Sequence, residues 1–307
     1  MPFLWWSPKK LFPILYTVLF QDCRLFVQSL RTDPLLTLSE PCRMRSYLEY
    51  ESQKSSTVLS YAQAKDILHT KLRKIDIYGD GDDKQESLNV EHIFPQSFFK
   101  NDTRKLAMKS DLHHLYLCNR KLNSFRQNFK YVDSSVAKID DKIRVLDMKG
   151  NAVSNENELF AKRGYLMVTN KTSKTFVPAE CSRGKVARAL SYFAVKYDYL
   201  DTLEKVIDIR TLVEWSLKDP VDNDEYLKNV IIYKHQGDIN PFVFNPDLVL
   251  YSFTDRCTID DELLRKKRLS VVDPFYSIDY LLNDIRILEE EKKALKLSLG
   301  HLLKKKQ

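Results

Sequence analysis

The stretch VEHIFPQSFF, residues 90–99, sets a carboxylate, Glu91, directly beside an imidazole, His92, and closes with Pro95. About twenty residues on, DLHHLYL (111–117) adds His113 and His114, and NSFRQN (123–128) adds Asn123 and Arg126. Hydrolysis of a phosphodiester needs a base to activate water, a cation on the phosphate and leaving oxygen, and donors for the extra charge. Histidine, with an ordinary pKa of about 6.5, accepts a proton near neutrality without special tuning. Glu91 offers a hard anionic oxygen and Asn123 a neutral one; two such ligands, with waters and a phosphate oxygen, suit one Mg²⁺. Asn123 and Arg126 are three residues apart and share a face if the segment is helical, so Arg126 is placed to meet the same phosphate. One of His113 and His114 is placed to orient a bound water or the phosphate.

Plainer readings stand beside these. Asn123 serves equally as the cap of the helix it would begin. Each histidine can be an ordinary hydrogen-bonded residue, and the basic stretch a solvated face. Neighbouring residues of a regular strand point to opposite faces, so Glu91 and His92 can share one site only where the strand breaks, near Pro95. The joint occurrence of these residues in one short window favours the chemical reading.

The elements that would carry them follow from pattern. Residues 58–77 have apolar positions at helical spacing, and YGDGDDKQES (78–87) reads as a loop. As an EF-hand started at Asp76, that loop would place Tyr78 at the third ligand position and Ser87 at the twelfth, where a Glu should chelate, so calcium binding there is rejected. LNVEHIF (88–94) reads as a strand, SDLHHLYLC (110–118) as a second extended segment, and NRKLNSFRQNFKY (119–131) as helical. Strand, excursion, strand, helix is the order of a small metal-binding ββα unit. KIRVLDM (142–148) and RGYLMVT (163–169) read as further strands. Residues 183–200 read as a helix capped by Ser182, followed by helices up to Pro220 and across 222–235. The expected class is α+β, with helices and a small sheet around the ββα unit.

The chain has 307 residues, a formal charge of +7 and 43% hydrophobic residues, enough for a sizeable core and inconsistent with disorder. Residues 91–130 hold eight Lys and Arg against three acids, so the stretch with the chemistry is also the basic one, which favours a polyanionic partner. The five cysteines are scattered without a CxxC pair, and no zinc knuckle is legible. Residues 11–20 form an apolar run after Lys9 and Lys10, with the charge order of a secretion signal but with Pro13 inside it and no small-residue cleavage site after it, so export and an intracellular location both stay open. No apolar run is long enough to span a bilayer as a helix, and stable membrane insertion is not expected. From Leu281 to Leu302, apolar residues at 3-4 spacing suggest an amphipathic helix that either lies on its own domain or mediates self-association.

On EHIFPQSFF (91–99), DLHHLYL (111–117) and NSFRQN (123–128), and then on FVPAECSRGKVARALSYFAVKY (176–197), DPV (219–221) and QGDINPF (236–242), the chain resembles the endonuclease I family, nucleases of the His-Me finger or ββα-metal kind. The resemblance covers about 75–248. It implies a largely sequence-non-specific endonuclease that cuts DNA, and often RNA, to 5′-phosphate products with one divalent cation, Mg²⁺ or alternatively Mn²⁺ or Ca²⁺. Carried over, His92 is the general base, Glu91 and Asn123 hold the metal, His113 and Arg126 belong to the same catalytic site, and Asn128 supports the helix. The arginines in 183–188 fall to a packing helix. Where the family commonly has Arg before the Glu-His pair, this chain has Val90; Arg104 is the candidate for the arginine that receives the cleaved phosphate. The expected organisation is a leader or accessory segment at 1–45, the nuclease domain at 46–250 and a helical extension at 251–307. The alternative reading is a catalytically silent nucleic-acid-binding protein on the same fold.

Overall fold

A computed structural model describes residues 41–53, 56–73, 75, 77–78, 88–134, 143–153, 167–170, 174–253 and 255–256. The signal-like run, most of the 78–87 loop and the C-terminal leucine spacing lie outside the described residues.

Helix α1 (Pro41–Gln53) is followed by α2 (Tyr61–Lys71). Ser60 opens α2 with a reciprocal capping box: its hydroxyl accepts from Gln63 N, and Gln63 Oε1 accepts from Ser60 N. The helix is shorter than the apolar spacing over 58–77 predicts. It stops at the Leu72 cap, and Ile75 and Ile77 continue into the core outside it, where Ile77 N donates to Leu117 O.

Strands β1 (Leu88–His92) and β2 (Leu115–Asn119) pair antiparallel, with Glu91 opposite Tyr116 and His92 opposite Leu115. The excursion between them contains a 3₁₀ turn at Gln96–Phe98, helix α3 (Lys105–Ser110) and a second 3₁₀ turn at Leu112–His114, part of what the sequence suggested was extended. Helix α4 (Arg120–Arg126) follows β2 without a break, because the Asn119 side chain accepts from Lys121 N and caps it. Asn119 is thus the cap, and Asn123 sits inside the helix. The helical reading to residue 131 overshoots: Gln127 takes a positive φ of 52°, and Lys130–Tyr131 become β3.

A second sheet, in the order β3-β6-β5-β4, combines β3 with β4 (Ile143–Leu146), β5 (Met167–Asn170) and β6 (Thr175–Val177). β3 and β6 are parallel and the other pairs antiparallel. An α+β class describes this mixture of helices and small sheets.

Helix α5 (Glu180–Lys196) is the central packing element; Val186, Ala189, Leu190 and Phe193 are buried along it. Its cap is Ala179 rather than Ser182, since the chain leaves β6 through Pro178 and turns helical at once, which puts Ser182 in the first turn. Then come α6 (Leu200–Val206), α7 (Ile209–Lys218), α8 (Asn223–Gln236), α9 (Pro241–Phe244) and α10 (Asp247–Phe253). Gly184 lets α5 approach the end of α7: a Cβ there would lie 2.2 Å from the Asp219 carbonyl oxygen, and Gly184 N donates to Asp219 Oδ2. Arg188, enclosed, forks onto Glu225 and also donates to Asp219 O, a packing role for that arginine.

Arg45 on α1 donates to Ser252 O and pairs with Asp255 at 2.8 Å, and Leu48 and Phe253 share one hydrophobic core. The boundaries expected at 45 and 250 therefore fall inside α1 and α10. No helix among the described residues is long and apolar enough to cross a membrane.

Candidate active site

Strand alternation divides Glu91 from His92, which are the last two residues of β1. The Glu91 side chain, 2% exposed, turns towards α4. Tyr78 donates its hydroxyl to Glu91 Oε1 at 3.1 Å and shares a second hydrogen bond with the Tyr131 hydroxyl. Arg126 Nε lies 3.3 Å from the same Oε1, an ion pair without hydrogen-bond alignment. Burial pushes the Glu91 carboxyl up to about 7, against the opposing pull of the Arg126 guanidinium and the Tyr78 hydroxyl.

Arg126 is 1% exposed and stacks over the Tyr131 ring at 4.6 Å. Its two Nη atoms donate to main-chain carbonyls: Nη1 to His92 O at 3.3 Å and Gln127 O at 2.8 Å, Nη2 to Ile93 O at 2.7 Å. These include carbonyls freed where β1 ends, so Arg126 ties the strand end to α4. Asn123 Nδ2 donates to Val90 O at 3.1 Å, and Asn123 Oδ1 has no hydrogen bond among the described residues. Glu91, Asn123 and Arg126 thus come together where β1 meets α4.

His92 faces the other way, into a pocket formed by α2, α3 and the turn before β2. Its Nε2 is 3.0 Å from Lys109 O. A carbonyl only accepts, so the proton sits on Nε2 and the lone pair on Nδ1, where Gln96 Nε2 donates at 3.1 Å. The Tyr61 ring lies 5.9 Å away and the His114 ring 5.5 Å. The imidazole is 6% exposed; burial first, and then His114, pull its pKa down to about 3, against the Lys109 carbonyl. At neutral pH His92 is uncharged.

His113 is placed elsewhere. Its Nε2 donates towards Asp238, 3.2 Å from the main-chain oxygen and 3.4 Å from Oδ1, and its ring packs on Tyr192. Around it Lys196 Nζ donates to Asp111 Oδ2 and Asp238 Oδ2, joined by Tyr192, Tyr197 and Gln236. Of the two adjacent histidines, His114 is the one beside His92. Arg104 is exposed on an ion pair with Asp102 and donates to Tyr197 O, and Asn128 donates to Ser97 Oγ.

The roles of Tyr78 and Tyr131 here are not legible in the sequence, because isolated tyrosines outside a motif carry no signal. Gln96 lay inside the quoted EHIFPQSFF stretch, and its spacing of four from His92 was the available clue.

Glu91 and Asn123 are hard oxygen donors, and neither Glu91 Oε2 nor Asn123 Oδ1 takes a hydrogen bond among the described residues. Among the described residues no group of three His, Cys, Asp or Glu could hold a metal ion, so a cation here would rest on one carboxylate and one amide oxygen. That small set fits Mg²⁺, which keeps several of its waters.

A family model described as Endonuclease I matches residues 32–247, starting well upstream of the first recognisable motif. An extracellular ribonuclease of Bacillus subtilis (strain 168) is 26% identical over 174 residues, 52% of this chain and 51% of that protein. The chain therefore spans about half the length of that curated relative. With its strand–strand–helix unit in place and a family match over more than half of its length, the chain belongs to the endonuclease I family.

Proposed function

We propose that the protein is a metal-dependent endonuclease that hydrolyses phosphodiester bonds of nucleic acid, largely without regard to base sequence, leaving 5′-phosphates. β1, β2 and α4 would form its ββα-metal finger. One observation carries this reading: a neutral imidazole with its Nδ1 lone pair held only by a side-chain amide, one residue after a carboxylate with an unengaged oxygen.

His92 Nδ1 takes the proton of the attacking water once Gln96 yields its hydrogen bond, while the Lys109 carbonyl keeps the ring in the required tautomer. Glu91 and Asn123 would hold a divalent cation, Mg²⁺ or alternatively Mn²⁺ or Ca²⁺. When bound, the cation supplies positive charge for the phosphate and the departing 3′ oxygen. Arg126 acts by fixing the end of β1 and balancing Glu91, because its guanidinium is enclosed. His113, carried by the resemblance into the catalytic site, lies in the neighbouring Asp238 cluster and would support the turn that carries His114.

On the outer side of α4, Arg120, Lys121, Ser124 and Phe125 line a concavity closed by Gly150, Asn151 and Ala152. A nucleic-acid strand lying there would meet phosphate contacts, which carry no base information. The ribonuclease relative argues for RNA as a substrate alongside DNA.

The test is incubation of supercoiled plasmid and of structured RNA with Mg²⁺, Mn²⁺ or Ca²⁺, each against EDTA. Metal-dependent cutting of at least one polymer is expected. Val90 in place of the family's arginine and the near-closed His92 pocket favour a second reading, a silent binding protein. Salt-sensitive gel retardation with no cutting under any of the three metals would establish that instead.

A further inference from the structure

Two consecutive carbonyls at the C-terminal end of α3 receive two imidazoles. Met108 O takes His114 Nε2 at 2.6 Å, and Lys109 O takes His92 Nε2 at 3.0 Å. The last carbonyls of a helix have no intrahelical donors, so both are free to do this. Both rings are thereby held in one tautomer, with Nδ1 unprotonated. They meet edge to face, 5.5 Å apart at 67°.

His114 makes a third connection through its backbone: its carbonyl accepts from Ile93 N at 3.0 Å, immediately after His92. It is itself held from behind. Asp111 Oδ1 caps the Leu112–His114 turn by accepting from His113 N, and Leu112 N donates to Gln236 Oε1. The outer faces of the His114 ring are aromatic, with Phe193 at 4.6 Å and Phe99 at 6.2 Å, and its Nδ1 is buried without a hydrogen-bond partner. A side chain that only filled such a pocket would do better as phenylalanine, because an unpaired buried nitrogen is costly.

We infer that His114 is a positioning residue for His92. It locks the end of α3 through Met108 O, abuts the His92 ring, and so keeps Nε2 on Lys109 O and Nδ1 turned to the water. This rests on the reading of His92 as the base.

The test uses the full chain, with His114→Phe, which suits the aromatic pocket but cannot donate to Met108, and His114→Gln, which can. Two readouts are taken: kcat against KM for cleavage, and imidazole ¹⁵N shifts of protein labelled at its six histidines. His114→Phe should lower kcat by about tenfold to a hundredfold, the range expected for a misplaced reacting group, with KM unchanged. Its His92 signals should move from a single Nε2–H tautomer to a mixture, and His114→Gln should retain most of both properties. A folded His114→Phe protein with wild-type kcat and an unchanged His92 tautomer overturns the inference. If that variant does not fold, the wild-type spectrum decides: anything other than Nε2–H at both His92 and His114 overturns it. His92→Ala is run in parallel. Full activity there removes the base assignment and this inference together, whereas a dead His92→Ala beside an intact His114→Phe removes this inference alone.

Discussion

Two buried polar clusters lie on either side of the Leu112–His114 turn, and they differ in how fully their hydrogen-bonding capacity is used. Around Asp111, Asp238 and Lys196 the groups answer one another. Asp111 Oδ1 accepts from His113 N and Gln236 Nε2, its Oδ2 accepts from Lys196, Tyr192 and Tyr197, and Asp238 Oδ2 accepts from Lys196 and Tyr192. On the two faces at the end of β1, by contrast, Glu91 Oε2 and Asn123 Oδ1 have no hydrogen bond among the described residues, and His92 Nδ1 is held by one movable side-chain amide. A closed network stabilises and sets register, whereas an open one keeps atoms for a ligand. On the proposed function, the first cluster is scaffold and the second would carry the chemistry.

Lys196→Met should break this contrast most forcefully, because it leaves two enclosed carboxylates without their cation. A loss of about 3–5 kcal/mol in urea unfolding is expected, as for other broken buried pairs. A loss below about 1 kcal/mol, the range of exposed pairs, would show that the closed cluster is not a scaffold.

Gly184→Ala should come next. The added methyl would meet the Asp219 carbonyl oxygen and force α5 from α7, with an expected cost of about 1–3 kcal/mol, typical of overpacking. Cleavage chemistry should be unaffected at temperatures where the variant is folded. A Gly184→Ala enzyme with altered kcat would extend the functional region into the scaffold.

Acid should separate the clusters by pH. Burial, only partly offset by Asp111, pulls His114 from its ordinary 6.5 down to about 4, and His92 is lowered beside it. The unfolded chain takes up these protons first, so the two histidines lower stability as pH drops from about 6.5 towards 4, against Glu91, whose raised pKa favours the folded state over part of the same fall. Burial raises Asp111 and Asp238, but Lys196 and His113 outweigh it and hold both carboxyls below the usual range. Their contribution is present above the ordinary value of 3.8 and is lost as pH falls below it. Urea midpoints from pH 7.5 to 3 should show both stages, with the first reduced in His114→Phe. An unchanged first stage in that variant would contradict the account of its burial.

The smallest effect is expected on the surface. Glu214, paired with exposed Arg210 and Lys218 on α7, should cost only about 0.5 kcal/mol when replaced by Ala, measured by thermal unfolding.

The sequence displayed the strand–strand–helix order because β1, β2 and α4 have local signals: alternation, a capping Asn119 and adjacent polar motifs. Glu91, Asn123 and Arg126, which come together where β1 meets α4, lie in those same motifs. What could not be read was direction. Opposite faces of β1 send Glu91 to Tyr78, itself bonded to Tyr131, and His92 to the Lys109 carbonyl of α3, partners distant in sequence whose approach depends on tertiary packing. Likewise, the adjacent imidazoles of His113 and His114 are sorted by the 3₁₀ turn that replaced the expected extended chain. Helix ends differ for local reasons: α5 starts at Glu180 with Ala179 as its cap, directly after Pro178, and the positive φ of Gln127 stops α4 short.

Whether His92 is the base is decided by comparing Mg²⁺-dependent cleavage rates of wild-type and His92→Ala proteins of equal thermal stability. A loss of about a hundredfold to ten-thousandfold is expected in the variant, the usual contribution of a general base. A His92→Ala protein that cuts as fast as wild type would contradict that assignment.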